Sequence, residues 1–130
     1  MNCNNKVLVG RYYDEVLTKR EFNVIDEIFD VTFQSHLSNG TSIGLEVYKS
    51  YIKESFAALS DIEVHIKDQI SEQNKVVTRW VAKGKLVKPF AGISEIGKTV
   101  EVSAIHIHRI KNGLIVDHWE AINLHAIMIK

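Results

Sequence analysis

The apolar residues of this 130-residue chain change their spacing once, near Asp61, and that change restricts the folds open to it. Before it they recur three and four apart, as on one face of a helix; after it they alternate with polar residues, as on a strand. Leu8, Tyr12, Tyr13, Val16 and Leu17 predict a helix over 6–18, and Phe22, Ile25, Ile28 and Phe29 a short one over 21–29. Tyr48, Tyr51, Ile52, Phe56 and Leu59 predict a third from about 43 to 60, with Ser42 placed to cap it. Residues 31–37 fit neither template and lead into a loop around Ser38-Asn39-Gly40-Thr41. Beyond Asp61, the alternation of Ile62, Val64, Ile66 and Ile70 predicts a half-buried strand, and 75–88 a longer one. A loop over 89–98 holds the only proline, and a hairpin supplies two more strands. Helices followed by a meander of long strands make an α+β fold. The expected form is a curved antiparallel sheet with three N-terminal helices on its concave side. Such an arrangement encloses a cone-shaped pocket, suited to an apolar small molecule held by a few polar groups.

Composition narrows the class further. The length fits one domain over residues 1–130, with no internal repeat and no low-complexity tract. The formal net charge is zero and no basic stripe is present, which argues against nucleic acid as a partner. Cys3 is the only cysteine, so an internal disulfide and a thiolate zinc cluster are excluded. The N-terminal MNCNNK is polar, and no stretch reaches membrane-spanning length. A soluble, cytoplasmic protein is the expectation.

The segment 100–123, VEVSAIHIHRIKNGLIVDHWEAIN, concentrates the titratable side chains. Asn112-Gly113 between β-branched runs is a strong hairpin signal. A three-residue loop, Lys111 to Gly113, sets Ile110 opposite Leu114, His108 opposite Val116, His106 opposite His118 and Ala104 opposite Glu120. All then share one face, on which three imidazoles and a carboxylate gather. A two-residue loop instead pairs Lys111 with Leu114 and His106 with Trp119, and sends His106 and Glu120 to opposite faces. Solvent-facing histidines on an exposed strand are the plain alternative. On the outer face Ile105, Ile107, Ile115 and Trp119 form an apolar row, which predicts a homodimer through the sheet.

Further motifs stand in a telling order: His36 after an aromatic-rich turn, Gly44 opening the third helix, Arg79-Trp80 and Gly84. Phe90-Ala91-Gly92-Ile93, Gly97-Lys98-Thr99-Val100-Glu101-Val102-Ser103 and the block from Ile105 to Asn123 follow. In this order and spacing the chain resembles the SnoaL-like polyketide (ester) cyclases of the nuclear-transport-factor-2-like superfamily, over nearly its whole length. The resemblance implies a cone-shaped α+β barrel and a cyclase that uses neither cofactor nor metal. It also implies an intramolecular aldol reaction on a polyketide ester. A carboxylate serves as general acid/base and a histidine fourteen residues earlier assists, as Glu120 and His106 are spaced here. Those residue types suit the chemistry. Enolate formation needs a base beside a carbonyl and a donor for the developing oxyanion, and a carboxylate buried in a pocket is the better base.

The chain departs from the family pattern at Glu120, where aspartate is usual, at Asn123, where an acid is common, and at Ser94-Glu95-Ile96, where two prolines commonly precede the glycine. His118, His36, Arg79, Trp80 and Asn123 are the candidate substrate-binding residues beside the catalytic pair. His36 is expected to close the pocket from the helical side, and Trp119 to meet solvent or a partner subunit. His106, His108 and His118 together match the three imidazole ligands of a catalytic zinc site, a reading the resemblance disfavours. An epoxide hydrolase of the limonene type needs an acid where Val81 stands. Ketosteroid-isomerase-like proton transfer needs only a base and a donor, and a non-catalytic small-molecule binder only the pocket.

Overall fold

A computed structural model describes residues 2–90, 92–122 and 127–129. Helix α1 (Asn2–Arg11) runs on as a π-helical stretch, Tyr12–Thr18, and a 3-10 turn at Phe22–Val24 leads into α2 (Ile25–Ile28). Strands β1 (Phe29–His36) and β2 (Ser42–Gly44) precede α3 (Leu45–Ala57). Then come β3 (Leu59–Glu72), β4 (Lys75–Leu86), β5 (Thr99–Lys111), β6 (Leu114–Ile122) and the short β7 (Ile127–Ile129).

One sheet takes the order β2-β1-β6-β5-β4-β3, with β7 also paired to β5. The fold is the expected α+β cone, but its sheet is not wholly antiparallel: β1 lies parallel to β6. No hairpin joins those two strands. The chain returns through α3 and the β3–β5 meander, the long connection that parallel pairing requires. Of residues 31–37, which matched neither template, all but Leu37 belong to β1. A register shift between Phe29 and Gln34 breaks the alternation that would have marked the strand.

Inward residues of the sheet alternate cleanly where the ladder is regular. Val76, Thr78, Trp80 and Ala82 of β4, and Ala104, His106, His108 and Ile110 of β5, are all buried. Tyr12, Tyr13, Val16 and Leu17 of the first helix cover them. On an α-helix, at about 100° per residue, these four positions span an arc of about 140°. The wider π-helical turn narrows that arc, and Thr18 Oγ1 donates to the Tyr13 carbonyl at 2.8 Å. Each fully buried large side chain contributes about 1.5–3 kcal/mol. Gly84 lets β3 approach: a Cβ there would lie 3.0 Å from Leu59 Cβ.

Other expectations are corrected in detail. Ser42 does not cap α3; it lies in β2 and donates to Gln34 Oε1 at 2.9 Å, while Gly44 holds the cap position. The second helix shortens to a 3-10 turn and α2, because Phe29 is already extended. Two register shifts bend β3, between Ser60 and Glu63 and between Ile66 and Asp68, and leave Ile66 and Ile70 exposed. The outer apolar row is smaller than expected. Ile105 is exposed, but Ile115 is fully buried, and the Arg79–Asp68 and Arg109–Asp117 ion pairs interrupt the face. Among the described residues no helix is long and apolar enough to cross a membrane.

Candidate active site

The site rests on how the last hairpin closes. Asn112 and Gly113 both have positive φ, 54° and 78°, the backbone of a tight two-residue turn. Lys111 accordingly pairs with Leu114 and Ile110 with Ile115, so the loop is shorter than the three residues expected. The next pair is Arg109 with Asp117, which leaves Val116 as an extra residue, a β-bulge. The bulge buries Ile115 and Val116 side by side and reverses the sidedness of everything beyond them. His108 therefore faces His118, and His106 faces Glu120. The shared face expected from a longer loop is reached by another route, with the partner of Ile110 moved by one residue and those of His108, His106 and Ala104 by two.

His106 Nε2 lies 2.7 Å from Glu120 Oε1. His106 is buried, and the Glu120 side chain keeps 28% of its exposure at the cavity wall. The imidazole's other nitrogen, Nδ1, is 2.8 Å from Tyr13 Oη. Burial pushes the Tyr13 phenol well above its ordinary pKa, so it keeps its proton. Tyr13 then donates to Nδ1, which places the imidazole proton on Nε2, where it is donated to Glu120. Both nitrogens of His106 are thus committed within the protein. Thr78, the neighbour of His106 across the β4–β5 ladder, accepts from Gln69 Nε2 at 3.4 Å through its Oγ1.

A cavity of about 60 Å³ lies against this pair, walled by Tyr51, Phe56, Trp80, Phe90, His106 and Glu120. Its lining is mostly apolar. Trp80 is buried with its ring centre 5.1 Å from that of His106, and its Nε1–H has no hydrogen-bond partner. As it stands the cavity is well below the roughly 300–1,000 Å³ of a drug-sized ligand site.

The remaining candidates fall in different places. His118 is buried beside the pair, its ring centre 4.5 Å from that of His106, with Nδ1 3.1 Å from Ser35 Oγ. His36 does not line this cavity. The parallel register sets it opposite Trp119; its ring stacks on that indole at 4.8 Å, and Nε2 is 2.7 Å from Asp117 Oδ1. Trp119, expected to meet solvent or a partner, is thereby covered in part by its own chain. Arg79 points outward to Asp68, 2.6 Å away. Asn123 lies outside the described residues. Among the described residues, Trp80 is the one further candidate that joins the pair at this cavity, while His36 and Glu120 both line an adjoining pocket.

Sequence reading missed Tyr13 and Ser35 as partners of the histidines. Two adjacent buried tyrosines were visible in the helical stripe, but only the π-helical turn aims Tyr13 at His106. Ser35 sits in the strand whose alternation is broken. Among the described residues, His106, His108 and His118 form a group whose nitrogens could hold a metal ion.

Residues 7–129 match the family model of the SnoaL-like polyketide cyclases. No curated protein matches the chain in sequence. Among solved structures, AclR of Streptomyces galilaeus, assigned provisionally as a hydroxylase, superposes with a TM-score of 0.87 at 16% identity, over 96% of this chain and 92% of its own. A provisionally assigned SnoaL-like polyketide cyclase from Jannaschia sp. CCS1 gives 0.84 at 21% identity, over 95% and 88%. IdmH of Streptomyces antibioticus, also a provisional polyketide cyclase, gives 0.81 at 21% identity, over 92% and 91%. At these identities the superpositions speak for the fold alone.

Proposed function

We infer, since the chain belongs to the SnoaL-like polyketide cyclase family, that Glu120 is the general acid/base of a cyclase acting on a small, largely apolar carbonyl compound. The observation that carries this reading is the 2.7 Å contact between His106 Nε2 and Glu120 Oε1 at the wall of an apolar cavity. Glu120 removes a proton from the carbon beside a carbonyl, giving an enolate. That carbon attacks a second carbonyl carbon of the same molecule, a C–C bond forms, and the resulting alkoxide takes the proton back from Glu120. The chain's own residues move every proton, and no cofactor takes part. A polyketide-type ester is the substrate class that the family supports.

His106 holds the carboxylate through its Nε2–H and steadies its charge. With both nitrogens in use, it is a positioning residue rather than a donor to substrate. The unpartnered Nε1–H of Trp80, on a side chain lining the same cavity, is the donor we assign to the developing oxyanion. His118 supports His106 from behind. The small cavity favours a second reading, isomerisation by proton transfer alone, which uses the same two residues and needs no room for a second carbonyl.

A panel of small β-keto esters with and without a further ketone, together with β,γ-unsaturated ketones, separates the readings by proton NMR in deuterated water. A cyclase exchanges the α-proton and closes a ring where the further ketone exists, whereas an isomerase exchanges and migrates the double bond of the unsaturated ketones. Binding of panel members without any exchange would mark a carrier and defeat both.

A further inference from the structure

The concave face holds three imidazoles, more than the positioning of Glu120 by His106 requires. His106, His108 and His118 are 1%, 0% and 2% exposed. Their ring centres are 4.5 Å apart for His106–His118, 4.9 Å for His108–His118 and 5.5 Å for His106–His108. One ring nitrogen from each lies within 4.8 Å of the other two. Neither nitrogen of His108 has a hydrogen-bond partner, and Nε2 of His118 has none either. Each such buried polar atom costs about 1–3 kcal/mol if nothing satisfies it. A purely structural core would put apolar side chains here.

We propose that His106, His108 and His118 form a binding site for a divalent transition-metal ion of the zinc, cobalt or nickel kind. Imidazole nitrogen suits these ions, while magnesium and calcium ask for oxygen. A ligating histidine must be neutral, and burial together with the neighbouring imidazoles pushes His108 and His118 well below the ordinary histidine range. Ser35 at Nδ1 of His118 orients that ring with Nε2 left for the ion, the role a hydrogen-bonding partner plays behind a metal-bound histidine. His106 joins by giving up one of its two hydrogen bonds, and Tyr13 Oη can accept as well as donate at Nδ1. Metal–nitrogen bonds of about 2.0–2.1 Å in tetrahedral geometry require a 4.8 Å nitrogen separation to close by roughly 1.5 Å. Tyr12 packs on His108 and Tyr48 on His118, with ring centres 5.8 Å and 5.4 Å away, which shields the site from water.

This inference stands on the histidine cluster alone and runs against the metal-free pocket that the family resemblance implies. It also predicts competition: an ion that draws on His106 weakens the hold on Glu120.

The full chain, stripped with a chelator and dialysed, is titrated with zinc or cobalt(II) alone. Calorimetry should show one equivalent per chain, and cobalt should give the intense visible bands of a low-coordinate site with three nitrogen ligands. His108→Phe, which keeps an apolar ring in the core, should weaken binding at least a hundredfold. His36→Ala and His65→Ala should leave it unchanged. Imidazole resonances of the wild-type protein supply a check that survives misfolding of the variant: those of His106, His108 and His118 should move with zinc. No binding at 100-fold excess of ion over protein would overturn the proposal. So would binding that follows His36 or His65, or resonance changes confined to them.

Discussion

His106 and Glu120 stand directly opposite one another across the β5–β6 ladder, 2.7 Å apart at their side chains, although only two residues close the hairpin between them. A hairpin that short sends the two to opposite faces unless a residue is added elsewhere. Val116 is that residue. The bulge, not the turn, aligns the pair.

Deleting Val116 should therefore leave a regular two-residue hairpin in which Arg109 still pairs with Asp117 and His106 with Glu120, on the faces they hold now. The cooperative thermal transition should survive, with a loss of at most about 1.5–3 kcal/mol from the missing valine side chain. A glycine inserted between Asp117 and His118 should instead turn His118 and Glu120 outward and cost the cooperative transition. Outward-facing His118 and Glu120 on deletion of Val116 would show that the bulge is not what aligns the pair.

Tyr13→Phe leaves a buried Nδ1 of His106 without its donor. The expected loss of stability is about 1–3 kcal/mol, read by urea unfolding. Nitrogen-15 NMR should find neutral His106 protonated at Nε2 in the wild type and a mixture of tautomers in the variant.

Acid should weaken the fold earlier than carboxylate titration would. His108 and His118 have folded pKa values depressed below 6.5, so the unfolded chain binds more protons than the folded one between those values and 6.5. Their contribution is complete above pH 6.5 and is lost as pH falls through the depressed values. Asp30 and Glu15, also lowered, act only below their ordinary values of 3.8 and 4.5. Melting in a chelating buffer should decline from pH 6.5 downward, with a shallower slope in His108→Phe. An unchanged slope would remove the histidines as its cause.

The elements that the sequence made legible are those with regular periods. β4 and β5 alternate without interruption, and α3 shows its stripe. β1 did not reveal itself, because the shift between Phe29 and Gln34 spoils its period, and Ser35 and His36 could not be assigned to faces without its parallel partner. The hairpin's chemistry was visible as residue types at a fixed separation, and its register was not. Turn length and bulge compensate, and no local propensity at Val116 distinguishes a bulged valine from a paired one. Arg79-Trp80 shows the same limit: strand alternation divides the two, and only Trp80 reaches the cavity.

Glu120→Gln tests the central claim most directly, because it keeps size and hydrogen bonding while removing basicity. On a β-keto ester that the wild type exchanges in deuterated water, the variant should bind within a few-fold of the parent. Its exchange rate should fall by about 10²–10⁴-fold, against roughly a hundredfold for His106→Ala. Exchange at the parental rate in Glu120→Gln would contradict a catalytic carboxylate at this position.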